Sequence, residues 1–220
     1  LFPYTTLFRS GTDGAIWGGE FLIADYAHAR RVAHLAYVPL PGGDTAIRKP
    51  YRTALAHLWA AGVPWDDNLA TVRAASPTER RILARQVEDG LNAVPTSSMG
   101  RLFDAVSAIA DVRQVVSYEA QAAIELQMLI DEGENGTYPW DIKQRQATDI
   151  EIDAAPLIRA VVADVRAGTP TGVIAARFHN SVADMVLKVC RILRDEIGLD
   201  AVALSGGVWQ NVALLQRTVN

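Results

Sequence analysis

The chain has 220 residues, of which 50% are hydrophobic and 21% charged, and its formal net charge is −4 at pH 7. This balance is ordinary for a globular protein and argues against a general nucleic-acid binder, which needs a basic surface for phosphates. The single cysteine, Cys190, excludes an internal disulfide framework and indicates a reducing, cytoplasmic compartment, and no apolar run approaches the roughly 20 residues of a membrane span.

The two ends of the sequence predict a partial domain. The chain lacks an initiator Met, and residues 1–10 match the in-frame translation of a sequencing-library adapter, so we expect them to be a cloning or assembly artefact. The last residues stop within an apparent helix that has no capping residue. We therefore expect residues 11–220 to form one domain that is incomplete at both ends.

The first part of this domain predicts a hairpin or a pair of strands. Loose alternation of apolar residues over 15–23, and a second β-like run over 31–38, indicate them. Gly18 and Gly19 interrupt the first run, which is typical of a bulge or of close backbone packing. Glu20 directly after them is either a structural or a buried functional carboxylate.

Helices follow the strands. Helical spacing predicts one helix over 44–62, with Asp44 as its cap, and the residues 63–75 have the composition of a loop. Ser76 and Pro77 then open another helix, since they supply an N-cap residue and a proline at the first helical position.

A further helix ends at Ile109 and contains a candidate functional carboxylate. Its apolar stripe consists of Leu102, Phe103, Val106 and Ile109. Asp104 lies within this apolar sequence and has no cation four residues later, so it needs hydrogen-bond partners or a ligand if it is buried. The alternative is an exposed helical carboxylate or a cap, and Ser97 and Ser98 have the same capping chemistry.

The second half of the chain predicts mostly helices. We expect a helix over 118–130, a hairpin that pairs 138–142 with 148–152, a helix over 156–168 and a long helix over 172–198. His179 lies early in the long helix, where a role in packing is favoured over a direct ligand role.

The stretch 201–211 predicts a short buried strand, a glycine turn at Gly206 and Gly207, and the start of a helix. Backbone N–H groups at a helix start can hold an anion, and glycines allow a phosphate to approach the backbone. Such a turn is common, so it is weak evidence when taken alone. The sequence contains no zinc-ligand spacing, P-loop, dinucleotide-binding glycine loop or nucleophile elbow.

Five motifs in series resemble one family. They occupy residues 12–20, 39–44 with 46–48, 96–104, 117–123 and 204–211. In this order they are similar to the C-terminal, Kae1-like part of the HypF carbamoyltransferases, which act in the maturation of [NiFe]-hydrogenases. The resemblance covers essentially residues 11–220 and implies a helix-rich α/β fold of the actin, Hsp70 and sugar-kinase type.

The resemblance also implies a reaction. Family members form carbamoyl-adenylate from carbamoyl phosphate and ATP, and pass the carbamoyl group to the C-terminal cysteine of the partner HypE for the synthesis of cyanide ligands. The other domains of the parent chain are further expected partners. The alternatives are an O-carbamoyltransferase or a tRNA threonylcarbamoyl transferase of the same fold, or a nucleotide-binding module without transfer chemistry.

By position in the matching motifs, the resemblance implies a nucleotide or carbamoyl-adenylate site at Asp104, Gly206, Gly207 and Asn211. Ser98, Gly100, Arg101 and Glu20 are weaker candidates for the same site. These side chains suit the role, because Asp accepts hydrogen bonds, Asn both donates and accepts, and glycine N–H groups can face phosphate.

The chain departs from the family pattern in two respects. Ala120 stands where the family leads us to expect glycine, and Lys49 and Tyr51 stand where acidic or amide and Trp residues are expected. The full-length family protein is expected to bind a divalent metal, but its ligands have no match here. None of the four histidines, which are His28, His34, His57 and His179, matches them, so we expect no metal site in this chain.

Overall fold

The computed structural model describes residues 11–146 and 149–219, and the predicted artefact at 1–10 lies outside them. The strands are β1 (Glu20–Ala24), β2 (Ala29–Leu35), β3 (Val38–Pro41), β4 (Ala93–Thr96), β5 (Asp141–Gln146) and β6 (Asp149–Asp153). The helices are α1 (Asp44–Arg48), α2 (Pro50–Ala60), α3 (Ala70–Arg73), α4 (Pro77–Asp89), α5 (Met99–Ile109), α6 (Gln121–Met128), α7 (Ala155–Ala167), α8 (Thr171–Ile197) and α9 (Val212–Val219). A 3-10 turn, Gly207–Gln210, precedes α9.

A four-stranded mixed sheet, in the order β1-β2-β6-β5, forms one layer of the fold. β1 and β2 make the antiparallel hairpin that the sequence predicts, and β2 runs parallel to β6, with Ala33 opposite Ile150. Both of these residues are buried, because the middle strands are covered by helices. β3 and β4 form a separate antiparallel pair.

The core lies between this sheet and the helices α2, α5, α7 and α8. Helix α5 is apolar on nearly every side and packs closely against α2, which is why it lies in the centre of the molecule. The Phe103 ring of α5 meets the Phe178 ring of α8 edge to face, with ring centres 4.7 Å apart. The long helix predicted over 172–198 is confirmed as α8, and its residues Phe178, Val182, Met185 and Val189 are all buried.

Several helix ends confirm their sequence signals. The Ser76 hydroxyl accepts a hydrogen bond of 3.2 Å from the Glu79 N–H group, and Pro77 begins α4. Gly168 and Gly198 end α7 and α8 in left-handed conformations, which glycine adopts at little cost.

Other predicted helix limits are wrong for local backbone reasons. The helix predicted over 44–62 is broken at Lys49, because the residue before Pro50 is held out of the helical region. Gly43, not Asp44, takes the N-cap position of α1. The predicted loop 63–75 contains the single helical turn α3, which is too short to show a periodic pattern.

The remaining corrections concern one hairpin, one helix start and one strand. The predicted hairpin is confirmed with shifted limits, since Lys143 lies within β5 and the connection falls at 147–148, outside the described residues. Helix α6 begins at Gln121, after Ala120 in a left-handed conformation, so Tyr118 is outside it. Residues 201–205 are not a buried strand: Val202 is 62% exposed, and no described strand lies beside this segment to accept its backbone hydrogen bonds.

Within residues 11–146 and 149–219, no helix combines the length and the apolar character that crossing a membrane demands.

Candidate functional site

The start of α5 is held by the Gly18–Glu20 turn. One oxygen of the Glu20 carboxylate accepts hydrogen bonds from the Gly18 and Gly19 N–H groups, at 2.5 and 2.9 Å, and the other accepts one from the Ser97 hydroxyl. A side chain at Gly19 would place its Cβ 2.4 Å from the Ser97 carbonyl oxygen, so glycine is required there. The predicted close packing at these glycines is confirmed, and the Glu20 carboxylate is engaged in joining the turn to α5.

Ser98 and Gly100 lie at the first turn of α5 without the roles that capping chemistry suggests. Ser98 holds the N-cap position, but its hydroxyl makes no capping hydrogen bond, so the predicted cap is wrong in this respect. Ser97 is likewise no cap, because its hydroxyl bonds to Glu20. Gly100 has ordinary van der Waals room for a side chain, since an added Cβ would lie 3.6 Å from the Ser98 hydroxyl oxygen.

Asp104 is a buried carboxylate with one charged partner. It is 4% exposed, and its Oδ2 lies 2.6 Å from Nη1 of Arg101, one helical turn earlier. This contact is an ion pair and not a well-directed hydrogen bond, because the same Arg101 nitrogen has no hydrogen-bond partner among residues 11–146 and 149–219. Burial raises the pKa of Asp104 to about 6, against the attraction of Arg101, which lowers it. The carboxylate is thus ionised at pH 7 at a cost in stability, which is typical of functional groups.

The glycine turn lies on the surface. Gly206 has φ 95° and ψ 168°, a region open essentially only to glycine. Apart from the adjoining backbone, no atom of residues 11–146 and 149–219 lies within 4 Å of where a Cβ at Gly207 would lie. The 3-10 turn closes with a hydrogen bond of 3.3 Å from the Trp209 N–H group to the Gly206 carbonyl. Its exposed backbone leaves room for a ligand to approach.

Asn211 fixes the position of this turn through a buried histidine. The side-chain amide of Asn211 lies 2.9 Å from Nε2 of His179, and its oxygen accepts a hydrogen bond of 2.9 Å from the Leu214 N–H group in α9. His179 is fully buried, and its Nδ1 lies 2.7 Å from the Ala175 carbonyl oxygen. Nδ1 therefore carries the proton and Nε2 accepts from Asn211.

His179 joins the glycine turn to α5. Its ring meets the Phe103 ring edge to face, with centres 5.2 Å apart, and Phe103 is the neighbour of Asp104 in the sequence. Burial lowers the pKa of His179 to about 4, so the ring is neutral at pH 7 and can keep both hydrogen bonds. The expected packing role of this histidine is confirmed. Its link to Asn211 was missed, since a contact across 32 residues leaves no periodic signal.

The described residues do not fit a metal centre. Within residues 11–146 and 149–219, no group of three or more His, Cys, Asp and Glu side chains could hold a metal ion. His28 is exposed at the tip of the first hairpin, His34 stacks on Tyr37, and His57 and His179 lie in different helices. No chemical step can therefore be assigned to a metal held by these residues.

Comparison with known proteins finds one family. Residues 10–220 match the family model described as the carbamoyltransferase, Kae1-like domain, second subdomain. The chain is 40% identical over 214 residues to the carbamoyltransferase HypF of Rhodobacter capsulatus, and 34% identical over 224 residues to that of Synechocystis. These matches take in 96% and 95% of the chain, but 27% and 28% of the two relatives, so the chain spans about a quarter of their length.

Two solved structures share the fold. A full-length HypF in a phosphate- and nucleotide-bound form superposes with a TM-score of 0.88 at 37% identity, over 96% of this chain and 32% of that one. The HypF of T. kodakarensis gives a TM-score of 0.76 at 25% identity, over 94% of this chain and 28% of that one. The predicted fold class is confirmed by these similarities together with the mixed sheet and the many helices.

Proposed function

We propose, from the premise that this chain belongs to the HypF carbamoyltransferase family, that it forms one wall of the nucleotide and carbamoyl-transfer site of a larger enzyme. The observation that carries the proposal is the connection between the buried Asp104 on α5 and the exposed glycine turn, through Phe103, His179 and Asn211. A buried carboxylate and an open turn of backbone N–H groups are what a nucleotide needs at its two ends.

The phosphate end of the ligand would lie against Gly206 and Gly207. The open space at Gly207 lets phosphate oxygens approach the backbone, and Asn211 keeps one amide N–H beyond the one that it donates to His179. The similar full-length HypF was solved in a phosphate- and nucleotide-bound form, which supports this class of ligand. The N–H groups at the exposed turn would supply the hydrogen bonds.

The other end of the ligand would lie against the first turns of α5. Asp104, ionised at pH 7, can accept hydrogen bonds from a ribose hydroxyl or from the carbamoyl N–H group. Arg101 forms an ion pair with this carboxylate, and Ser98 and Gly100 lie at the N-terminal end of the same helix. Glu20 would contribute indirectly, because its carboxylate accepts hydrogen bonds from the Ser97 hydroxyl and from the Gly18 and Gly19 N–H groups.

The reaction that this site would serve is transfer of a carbamoyl group from carbamoyl-adenylate, made from carbamoyl phosphate and ATP, to the C-terminal cysteine of HypE. The thiol sulfur would attack the carbamoyl carbon, the bond from that carbon to the AMP oxygen would break, and the thiol proton would leave to solvent. The names of the relatives support the carbamoyl group as the one transferred. The chain's part is to bind and orient the donor.

The test uses a longer protein that carries this chain in the context of a complete HypF-like enzyme. With carbamoyl phosphate, ATP and HypE, we expect a carbamoylated C-terminal cysteine, detected by mass spectrometry of the HypE peptide. Asp104→Asn should lower the rate by at least about tenfold, as expected for loss of a charged hydrogen-bond partner of the ligand. Asp89→Asn, at an exposed carboxylate that ends α4, is the matched control and should act as the parent does.

Other outcomes identify the alternatives. Carbamoylation of a hydroxyl acceptor, or threonylcarbamoylation of tRNA, with HypE left unmodified would replace the proposed acceptor. Nucleotide binding without any transfer would reduce the chain to a binding module. An unchanged rate in Asp104→Asn would remove Asp104 from the site while leaving the family assignment intact.

A further inference from the structure

Arg101 is a cation at a place in α5 that disfavours positive charge. It lies in the first turn of the helix, where its N–H group donates a hydrogen bond of 3.0 Å to the Ser98 carbonyl. The N-terminal end of a helix carries a partial positive charge, so basic side chains are unfavourable there. The Arg101 side chain is also only 16% exposed, so its charge is largely removed from water. Both effects cost stability, and the arginine therefore needs a local reason.

The carboxylate of Asp104 supplies that reason. Residues three apart share a face of a helix, and Oδ2 of Asp104 lies 2.6 Å from Nη1 of Arg101. This Nη1 has no hydrogen-bond partner among residues 11–146 and 149–219, so the pair is held by opposite charge and not by a directed fork of hydrogen bonds. The Asp104 side chain is 6% exposed, and a carboxylate at this depth tends to take up a proton unless a cation lies beside it.

Among the described residues, Arg101 is the only charged group that contributes to the pKa of Asp104, which burial raises to about 6 and the arginine lowers. The elements packed against α5 have titratable groups of their own. His57 of α2 and His179 of α8 are neutral at pH 7, because burial lowers the pKa of each to about 4. The charged groups that are bound to other partners include Glu20 at the start of β1, Arg52 on α2, Arg73 on α3, Glu125 on α6 and Arg159 on α7. Loss of Arg101 would therefore leave the carboxylate without a compensating charge from these elements.

We propose, in an inference that rests on the proposed function, that Arg101 is a positioning residue, which keeps the carboxylate of Asp104 ionised and in place for the ligand. An ionised carboxylate only accepts hydrogen bonds, so both of its oxygens can receive a ribose hydroxyl or a carbamoyl N–H group. A protonated Asp104 would instead present a donor to these donors. Arg101 acts through Asp104 and does not itself have to touch the ligand.

The first measurement uses the chain alone and does not depend on carbamoyl transfer. A ¹³C NMR titration of the side-chain carboxyl signal of Asp104 reports its pKa. In Arg101→Met, which removes the charge but keeps much of the length, this pKa should rise from about 6 by at least about one unit. Arg101→Lys should keep it near the parent value, because a point charge is enough where no fork is formed. Arg85→Met, at an exposed position on α4, is the matched control and should leave the titration unchanged.

The pH dependence of transfer in the longer enzyme separates this role from a merely structural one. In the parent enzyme the rate should fall below about pH 6, as Asp104 takes up a proton. In Arg101→Met the fall should begin about one pH unit higher, so the rate is at least about fivefold below that of the parent at pH 6 and close to it at pH 9. Arg101→Lys should follow the parent curve. Structural damage alone would lower the rate by the same factor at every pH.

A second neutral variant, Arg101→Gln, keeps the test valid if Arg101→Met does not fold, and it should shift both curves in the same direction. The proposal is overturned if the pKa of Asp104 is the same in the neutral variants as in the parent chain. It is also overturned if that pKa rises while the acid limb of the transfer rate stays where it is. A parent-like rate in Asp104→Asn would instead contradict the proposed function, and the titration of the chain alone is independent of that outcome.

Discussion

At the residue scale, Ala120 shows how a single side chain departs from what its backbone requires. Its φ is 61° and its ψ is 7°, the left-handed conformation that glycine adopts most easily. The family resemblance leads to an expected glycine at this position, and the backbone now gives the physical reason for that expectation. The alanine is exposed, so the departure costs stability without filling any space.

We predict that Ala120→Gly stabilises the chain by about 1 kcal/mol, since the left-handed conformation penalises alanine by more than glycine loses in chain entropy. Urea unfolding at pH 7 would show a higher midpoint with an unchanged slope. Ala163→Gly, at an exposed position within α7, is the matched control and should destabilise by roughly 0.5–1 kcal/mol. Equal effects of the two changes would contradict the strain at Ala120.

Asn211 offers a second prediction at this scale, because it sets the protonation of His179. In Asn211→Asp the side chain keeps an oxygen for the Leu214 N–H group but presents a carboxylate to Nε2 of His179. Since Nδ1 already donates to Ala175, the histidine would have to carry two protons, and its pKa should rise from about 4 by at least one unit.

An NMR titration of the His179 ring signals measures this shift. Asn135→Asp, in an exposed turn, is the control and should leave the titration of His179 unchanged. A pKa that stays near 4 in Asn211→Asp would mean that the two side chains do not form the hydrogen bond.

At the element scale, the two glycines of the turn differ in how strictly their positions require glycine. Gly206 needs its glycine for backbone reasons, whereas Gly207 lies in the 3-10 turn with open space around it. The two positions therefore separate a structural from a ligand-related requirement for glycine.

We predict that Gly206→Ala destabilises the chain by about 1–3 kcal/mol, while Gly207→Ala changes stability by less than about 0.5 kcal/mol. In the longer enzyme, Gly207→Ala should nevertheless lower carbamoyl transfer, since its Cβ would stand between the backbone and a phosphate. Urea unfolding and the transfer assay measure the two effects. Full activity in Gly207→Ala would place the phosphate elsewhere.

The helices and strands also show how much of the fold could be predicted from the sequence. Local signals predicted the Ser76–Pro77 start of α4 and the ends of α7 and α8 at Gly168 and Gly198 well, because capping residues act within a few residues. The break at Lys49 follows from Pro50 and was within reach of local rules. The expected strand at 201–204 failed because a strand requires a neighbour to share hydrogen bonds, which local composition cannot supply.

The candidate site was also predicted only in part from the sequence. Asp104, Gly206, Gly207 and Asn211 were found by their motifs, and their roles as ligand contacts stay predictions. The Arg101–Asp104 pair was missed because only the position four residues later was considered, although a cation three residues earlier also lies on the same helix face.

At the scale of the whole molecule, three buried titratable groups with strongly shifted pKa values contribute to how stability depends on pH. The pKa values of His57 and His179 are lowered from 6.5 to about 4, so the stability that they contribute is complete above pH 6.5 and lost as the pH falls towards 4. The pKa of Asp104 is raised from 3.8 to about 6, so its contribution has the opposite sign and is lost as the pH rises from 4 to 6. As the pH rises from 4 to 6, the stability lost through ionisation of Asp104 therefore partly offsets the stability gained from the two histidines.

We predict that these three groups together lower the free energy of unfolding by roughly 3 kcal/mol between pH 7 and pH 4, the difference between two histidines and one carboxylate with shifts of similar size. Asp104→Asn should be more stable than the parent chain by about 2–3 kcal/mol at pH 7 and nearly equal to it at pH 4, so its pH dependence is steeper. Urea unfolding at pH 4, 5, 6 and 7 measures both curves. Parallel curves would mean that the pKa of Asp104 is the same in the folded and the unfolded protein, so that burial does not raise it.

His179 has a consequence for how genetic variants of this family would be interpreted. Because most of the segment before Gly206 is exposed, the turn is held from its downstream side, by the hydrogen bond between Asn211 and the imidazole and by the packing of Val208 and Trp209 against the core. With phosphate at the glycine turn as proposed, a substitution of His179 would lower ligand affinity in the way that a binding-site mutation does, although the histidine is fully buried. Variant classification by distance to the ligand alone would score such an allele as harmless.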